Sequence, residues 1–233
     1  MARKRMIDGD KICEICVPVF IADCANPRRS FVIKFFRKSL SAINEADTRL
    51  FERINTLPHP PALNQSMEWL AHSMNRGDAW VAGVLLAEIL RRKPGEKLAV
   101  GFVTRMALIV WLVSLTVEFP LKLLFRRPRP FVQLAHARLV GAQPRHFSFP
   151  SGHAAASFAS AWLVGDRFPR WRWLHWGLAL LVACNRVYLG AHFPGDTLAG
   201  AVSGVGLALL YSRLPWLSTP KNRTILPNLE AFR

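Results

Sequence analysis

The run from Leu98 to Phe125 constrains this chain most. It is long and strongly apolar, enough to exceed the roughly 20 residues that a helix needs to cross about 30 Å of hydrocarbon. Five further apolar segments accompany it. They are 63–75 (with Glu68 and His72 inside), 78–91 (with one acid, Glu88), 152–165, 173–187 and 197–212. Several are shorter than a full span, so polar flanks must extend them, or residues 63–90 form one long helix. The expected fold is all-α: a polytopic membrane helix bundle of about six transmembrane helices.

Charge supports a membrane setting. Half of the 233 residues are apolar, yet the formal net charge is +16. The basic residues cluster at Arg3–Arg5, Arg28–Arg29, Arg91–Lys93, Arg126–Arg129 and Arg167–Arg172, between apolar runs rather than along a groove. That placement points to a membrane surface or a phosphorylated substrate and argues against nucleic acid. With the amino end in the cytoplasm and six crossings, the loops at Arg91–Lys97 and Arg167–Arg172 and the tail after Arg213 are cytoplasmic and basic. The loop 126–150 then faces outward although it is basic, an exception that a bound anion would explain.

Before the apolar segments, Phe31 to Ile54 carries apolar residues at helical spacing among lysines and arginines, the pattern of a helix lying on the membrane surface. Pro58, Pro60 and Pro61 are expected to stop it. Residues 1–30 show no clear periodicity, and Asp8, Asp10 and Lys11 interrupt any apolar stretch that a cleaved signal peptide would need. Three parts are expected: a basic segment with an interfacial helix (1–60), a membrane domain (61–214) and a cytoplasmic tail (215–233). Cys13 and Cys16 form an isolated C-x-x-C with no second pair to complete a zinc site, so they and Cys24 are read as structural or incidental. The last apolar segment carries Gly200 and Gly204, a G-x-x-x-G that lets helices approach closely in lipid.

Three stretches at the outward helix ends hold chemistry. Lys122 to Pro130 closes the longest apolar run with a lysine and three arginines, able to converge on one anion. Phe149 to His153 opens an alanine-rich helix, with Ser151 as a natural N-cap, Gly152 allowing close approach, and His153 at the edge of a helix-start anion site. Asn185 to Asp196 places Arg186 at the end of one helix, His192 in the connection, and Asp196 as a cap of the next. A carboxylate there can fix the tautomer of an imidazole and sharpen its other nitrogen as a nucleophile.

Lys122-x6-Arg129-Pro130, Pro150-Ser151-Gly152-His153 and Arg186-x5-His192-x3-Asp196 resemble the three motifs of the type 2 phosphatidic acid phosphatase superfamily, over roughly residues 63–213. The family's third motif usually opens with serine; Asn185, also a hydrogen-bonding residue, stands here. The resemblance implies that His192 attacks phosphorus, that Asp196 orients it, and that His153 protonates the leaving oxygen and later activates water. It also implies that Lys122, Arg129, Arg186, Ser151 and the Gly152 N–H hold the phosphoryl oxygens. Arg126 and Arg127 are candidates for a second phosphate. No metal or cofactor is expected, since cations do that work and Asp196 is the only carboxylate in the three stretches.

The expected activity is therefore a metal-independent lipid phosphatase acting on polyprenyl diphosphate, with phosphatidylglycerophosphate or phosphatidate as alternative substrates. Its expected setting is a bacterial plasma membrane with the site on the extracytoplasmic face. The partners expected are the lipid substrate and the bilayer, without nucleic acid or an obligate protein. A vanadium haloperoxidase, which shares the superfamily's site, and a non-catalytic lipid-binding protein are more remote readings.

Overall fold

The computed structural model describes residues 27–93 and 100–217. Cys13, Cys16 and Cys24, and the tail from residue 218, lie outside the described residues. The chain divides into two compact units, Met1–Ala46 and Asp47–Arg233. The division falls inside the first helix, α1 (Pro27–Asn55), so the second unit begins earlier than residue 61. Its reason is visible in the side chains: Phe51 is fully buried against Val187 and Phe193, and Asn55 is tied to the loops around it. As the prolines require, α1 ends before Pro58.

In the second unit the described residues are helical wherever an apolar segment was expected. In order they are α2 (Pro61–Ser73), α3 (Asp78–Arg91), α4 (Val100–Thr116), a π-helical turn (Val117–Leu121), α5 (Lys122–Phe125) and a short α6 (Pro130–Gln133). Then follow α7 (Gly152–Arg167), α8 (Arg172–Tyr188) and α9 (Pro194–Ser212). A single helix over 63–90 does not form. Arg76 (φ 53°) and Gly77 (φ 83°) take left-handed backbone and turn the chain between α2 and α3. Of these stretches, Val100–Gln133 is long and apolar enough to cross a bilayer by length and composition, and its most apolar 18-residue window has a mean hydropathy of 2.0. The shorter helices reach less far: α3, at 14 residues, rises only about 21 Å at 1.5 Å per residue.

Helix α7 is the centre of the bundle and packs against α4, α8 and α9. Its small residues explain why. A Cβ added at Gly200 would strike the Ser151 carbonyl, and one at Gly204 would strike the Ala155 carbonyl, so the G-x-x-x-G of α9 lies directly on the backbone of α7. Around this contact Met106, Ile109, Val110 and Val113 of α4 fill the interior. The acid within α3, Glu88, is buried and bridged by Arg167 of α7 (3.0 Å), so it is compensated rather than exposed to an apolar surround. Facing outward, Leu86, Leu90, Leu124, Trp173, Leu174, Leu198 and Val202 leave an apolar exterior. A soluble protein rarely presents so much; a bilayer requires it.

Candidate active site

The three chemical stretches meet at one end of α7. Lys122, Arg129, Gly152, His153, Arg186 and His192 all line a single cavity of about 510 Å³. That is the size of a small-molecule site. Lys122, Arg129 and Arg186 are buried, with 3 %, 5 % and 8 % of their surface exposed. Three buried cations sharing a cavity repel one another and lose hydration, and an anion in their midst relieves both costs.

Each cation is placed by its own local structure. Pro120 lacks a backbone N–H and lies within the π-helical turn, which leads straight into Lys122. Arg129 follows the break after α5, where Arg126 adopts left-handed backbone (φ 46°). Its guanidinium donates to the carbonyls of His146 (2.6 Å), Ala191 (2.7 Å) and Phe147 (3.2 Å), drawing two loops together. A guanidinium is too basic to lose its proton at neutral pH, so the group stays charged. Arg186 sits in the last turn of α8, and its Nε is buried without a hydrogen-bond partner among the described residues. So is the Ser151 hydroxyl. Ser151 occupies the N-cap position of α7, but its hydroxyl makes no capping bond, contrary to expectation. Its backbone N–H instead donates to the Asp196 carbonyl at 2.9 Å. Arg186 lines the cavity, so its Nε–H is a donor for an anion bound there.

The imidazoles are held in defined ways. His192 Nε2 lies 3.3 Å from Arg129 Nη1, and His192 Nδ1 lies 3.7 Å from Asp196 Oδ2. Because arginine only donates, Nε2 must present its lone pair, which leaves the ring proton on Nδ1, facing the carboxylate. The second distance is longer than a hydrogen bond. Burial pushes the His192 pKa down to about 3; Asp196 opposes that shift, and Arg129 and Arg186 add to it. His153 Nε2 approaches the Ala71 carbonyl of α2 at 3.1 Å. A carbonyl only accepts, so Nε2 carries hydrogen and Nδ1 remains available for proton exchange.

Asp196 is not the N-cap of α9. Phe193 takes that position, and Asp196, at the third residue of the helix, reaches back to accept the Phe193 N–H at 2.9 Å. Its other oxygen accepts from Arg127 Nη1 at 2.7 Å, and Arg127 Nη2 continues to Asp47 at 2.7 Å. Arg127 also lies over the Phe193 ring, 4.1 Å from its centre. Arg126 and Arg127, the candidates for a second phosphate, are held by other partners. Arg127 is committed to two carboxylates, Arg126 Nε bonds the Leu123 carbonyl, and neither lines the cavity. Asn185 bonds the Met67 carbonyl (2.8 Å), tying α8 to α2 rather than steering Arg186.

Other residues in the cavity escaped the sequence reading. Arg76, on the turn between α2 and α3, and Arg145, in the loop before α7, both line it. So does Glu118, a carboxylate outside the three stretches. It bonds Lys122 Nζ through both oxygens, at 2.7 and 2.8 Å. The Glu118-x3-Lys122 spacing on one helix face was the available signal.

Comparisons with known proteins agree with this architecture. Residues 96–220 match the PAP2 superfamily. An undecaprenyl-diphosphatase of Sulfolobus acidocaldarius is 30% identical over 167 residues, covering 70% of this chain and 76% of that protein. Among solved structures, Aquifex aeolicus LpxE superposes with a TM-score of 0.56 at 25% identity, covering 71% of this chain and 94% of that one. The fold also matches a transmembrane PAP2-type phosphatidylglycerolphosphate phosphatase from Bacillus subtilis, with a TM-score of 0.51 at 22% identity over 78% of this chain and 92% of the other. The chain belongs to the PAP2 superfamily and is an integral-membrane phosphatase of that family.

Proposed function

We propose that this phosphatase removes the terminal phosphate of a polyprenyl diphosphate, of the undecaprenyl kind, through a phosphohistidine. The observation that carries the reading is the cavity in which two imidazoles of fixed tautomer lie among three buried cations. His192 Nε2 attacks phosphorus, forming an N–P bond as the P–O bond to the departing lipid phosphate breaks. His153, entering this step as the imidazolium, delivers its Nδ1 proton to the leaving oxygen and becomes neutral. In the second step neutral His153 takes a proton from water, the water oxygen bonds phosphorus, and the N–P bond breaks to release inorganic phosphate. Asp196 keeps the His192 proton on Nδ1 and stabilises the charge that the ring acquires. Lys122, Arg129, Arg186 and the Gly152 N–H neutralise the oxygens of the phosphoryl group in flight.

Two features support a diphosphate. The relative from Sulfolobus acidocaldarius carries that activity in its name. Arg76 and Arg145, on separate loops lining the same cavity, offer charge for a second phosphate. Phosphate release from undecaprenyl diphosphate, phosphatidylglycerophosphate and phosphatidate by the purified protein is the test. The diphosphate should be hydrolysed fastest, and a strong preference for phosphatidate would reject this substrate.

The proposed setting is a bacterial plasma membrane with the cavity opening on the extracytoplasmic side. Its support is the basic character of the loops and tail at the other helix ends. Labelling Arg145→Cys in intact cells with an impermeant maleimide, in a cysteine-free background, checks it. Protection from the reagent would reverse the orientation.

A further inference from the structure

Among the described residues that line the cavity, Glu118 is the sole carboxylate. It occupies the place where an anion is most wanted. Both its oxygens bond Lys122 Nζ, and a Cβ added at Gly152 would strike its Oε1, so the carboxylate lies against the opening turn of α7. The same neighbourhood holds Arg186, with its Nε unpartnered, and the unpartnered Ser151 hydroxyl. The Glu118 side chain is 36% exposed whereas Lys122 is 4% exposed. The acid therefore has open space to withdraw into, and the lysine does not.

We propose that Glu118 is an exchangeable counter-ion that selects for terminal phosphates. It fills the phosphoryl seat while the site is empty, and a ligand must displace it from Lys122 and Gly152. This deepens the reading of the cavity as a phosphoryl site and rests on it. Replacing one carboxylate by a phosphodiester, which also carries one negative charge, gains no attraction to the surrounding cations. Replacing it by a terminal phosphate, with two charges, does. In a cavity of low dielectric that difference is large. Ordinary membrane phospholipids carry diester headgroups and vastly outnumber any lipid with a terminal phosphate. A resident carboxylate thus rejects the abundant competitor by leaving it with nothing to gain.

The test measures binding rather than turnover. Inorganic phosphate and dimethyl phosphate, a diester monoanion, are titrated calorimetrically into the detergent-purified full chain and into Glu118→Gln. The wild type should bind phosphate clearly more tightly than the diester. Glu118→Gln should bind the diester at least about tenfold more tightly than the wild type does, since a like charge has been removed from the seat. A residue that merely propped Lys122 in position would give the opposite, weaker binding of both ligands. Unchanged or weakened diester binding in Glu118→Gln overturns the proposal. Should that variant fail to fold, equal binding of the two ligands by the wild type overturns it as well. Phosphate binding by a wild type that hydrolyses no lipid phosphate would end the functional reading and leave the counter-ion comparison standing.

Discussion

Arg127 donates to Asp196 Oδ1 at 2.7 Å, on the oxygen that does not face His192. The carboxylate is thereby clamped from behind, with Asp47 holding the arginine in turn. Removing this support should let Asp196 rotate and the His192 tautomer wander. Arg127→Ala is expected to lower kcat about tenfold or more, the scale on which outer partners of an oriented histidine act, with a smaller change in KM. Arg127→Lys should recover part of the loss. Steady-state kinetics on a lipid phosphate substrate would show it, and a KM effect with kcat untouched would contradict it.

The two imidazoles should fail differently. His192→Ala is expected to abolish turnover and labelling alike. His153→Ala should slow the reaction by roughly 10²- to 10⁴-fold, yet with an activated aryl phosphate it should still accumulate an acid-labile, alkali-stable phosphoenzyme. Labelling that persists in His192→Ala would move the nucleophile elsewhere.

Acid should unsettle the fold before it protonates the nucleophile. His192 is neutral in the folded protein down to about pH 3, whereas an unfolded histidine takes up its proton near 6.5. Between those values the unfolded chain binds the extra proton, so this residue's contribution to stability declines as pH falls from about 6.5 and is constant above it. The thermal midpoint in detergent should fall more steeply over that window for the wild type than for His192→Asn. No acid limb in kcat/KM above about pH 4 should belong to His192. Removing the positive charge with Arg129→Gln should raise the His192 pKa, which nitrogen chemical shifts would report.

The contact between α7 and α9 leaves no volume for a side chain. Gly204→Leu should collide with the Ala155 backbone and cost about 3 kcal/mol or more, the upper range for overpacking a tight interior. Because Ser151 and Gly152 begin the displaced helix, turnover should fall with stability. Gly206→Leu, where no described residue lies near the added carbon, should leave both unchanged. Thermal unfolding and turnover of the two variants would separate the packing effect from the gain in helix propensity that both share.

What could be read from the sequence was whatever depends on local pattern. Apolar runs became helices, and motifs at helix ends met because neighbouring helices in a short-looped bundle return to the same side. What could not be read depends on pairings across the chain. Arg127 looked free beside Arg126, and only the fold brings Asp47 to it from 80 residues away. The Ala71 carbonyl that holds His153 carries no sequence signal at all. Arg76 lies between two apolar segments that could equally form one helix, and its side chain lines the cavity where left-handed backbone turns the chain. Asp196 was assigned to the right helix start but the wrong position in it, since Pro194 begins the helix two residues earlier. Glu118 sat inside an apolar run whose hydropathy masked a polar pair.

The connection that carries His192 is fastened at its root. Asn55 donates to the carbonyls of Tyr188 (3.1 Å) and Arg138 (2.9 Å), and Gly190 lies so close to the Arg138 carbonyl that no side chain fits between them. Arg129 grips the same connection at Ala191. An imidazole mounted this way is an anvil. It cannot swing toward a reactant, so the travelling has to be done by the phosphorus atom, and the lipid tail must leave enough slack outside the cavity for its headgroup to shift.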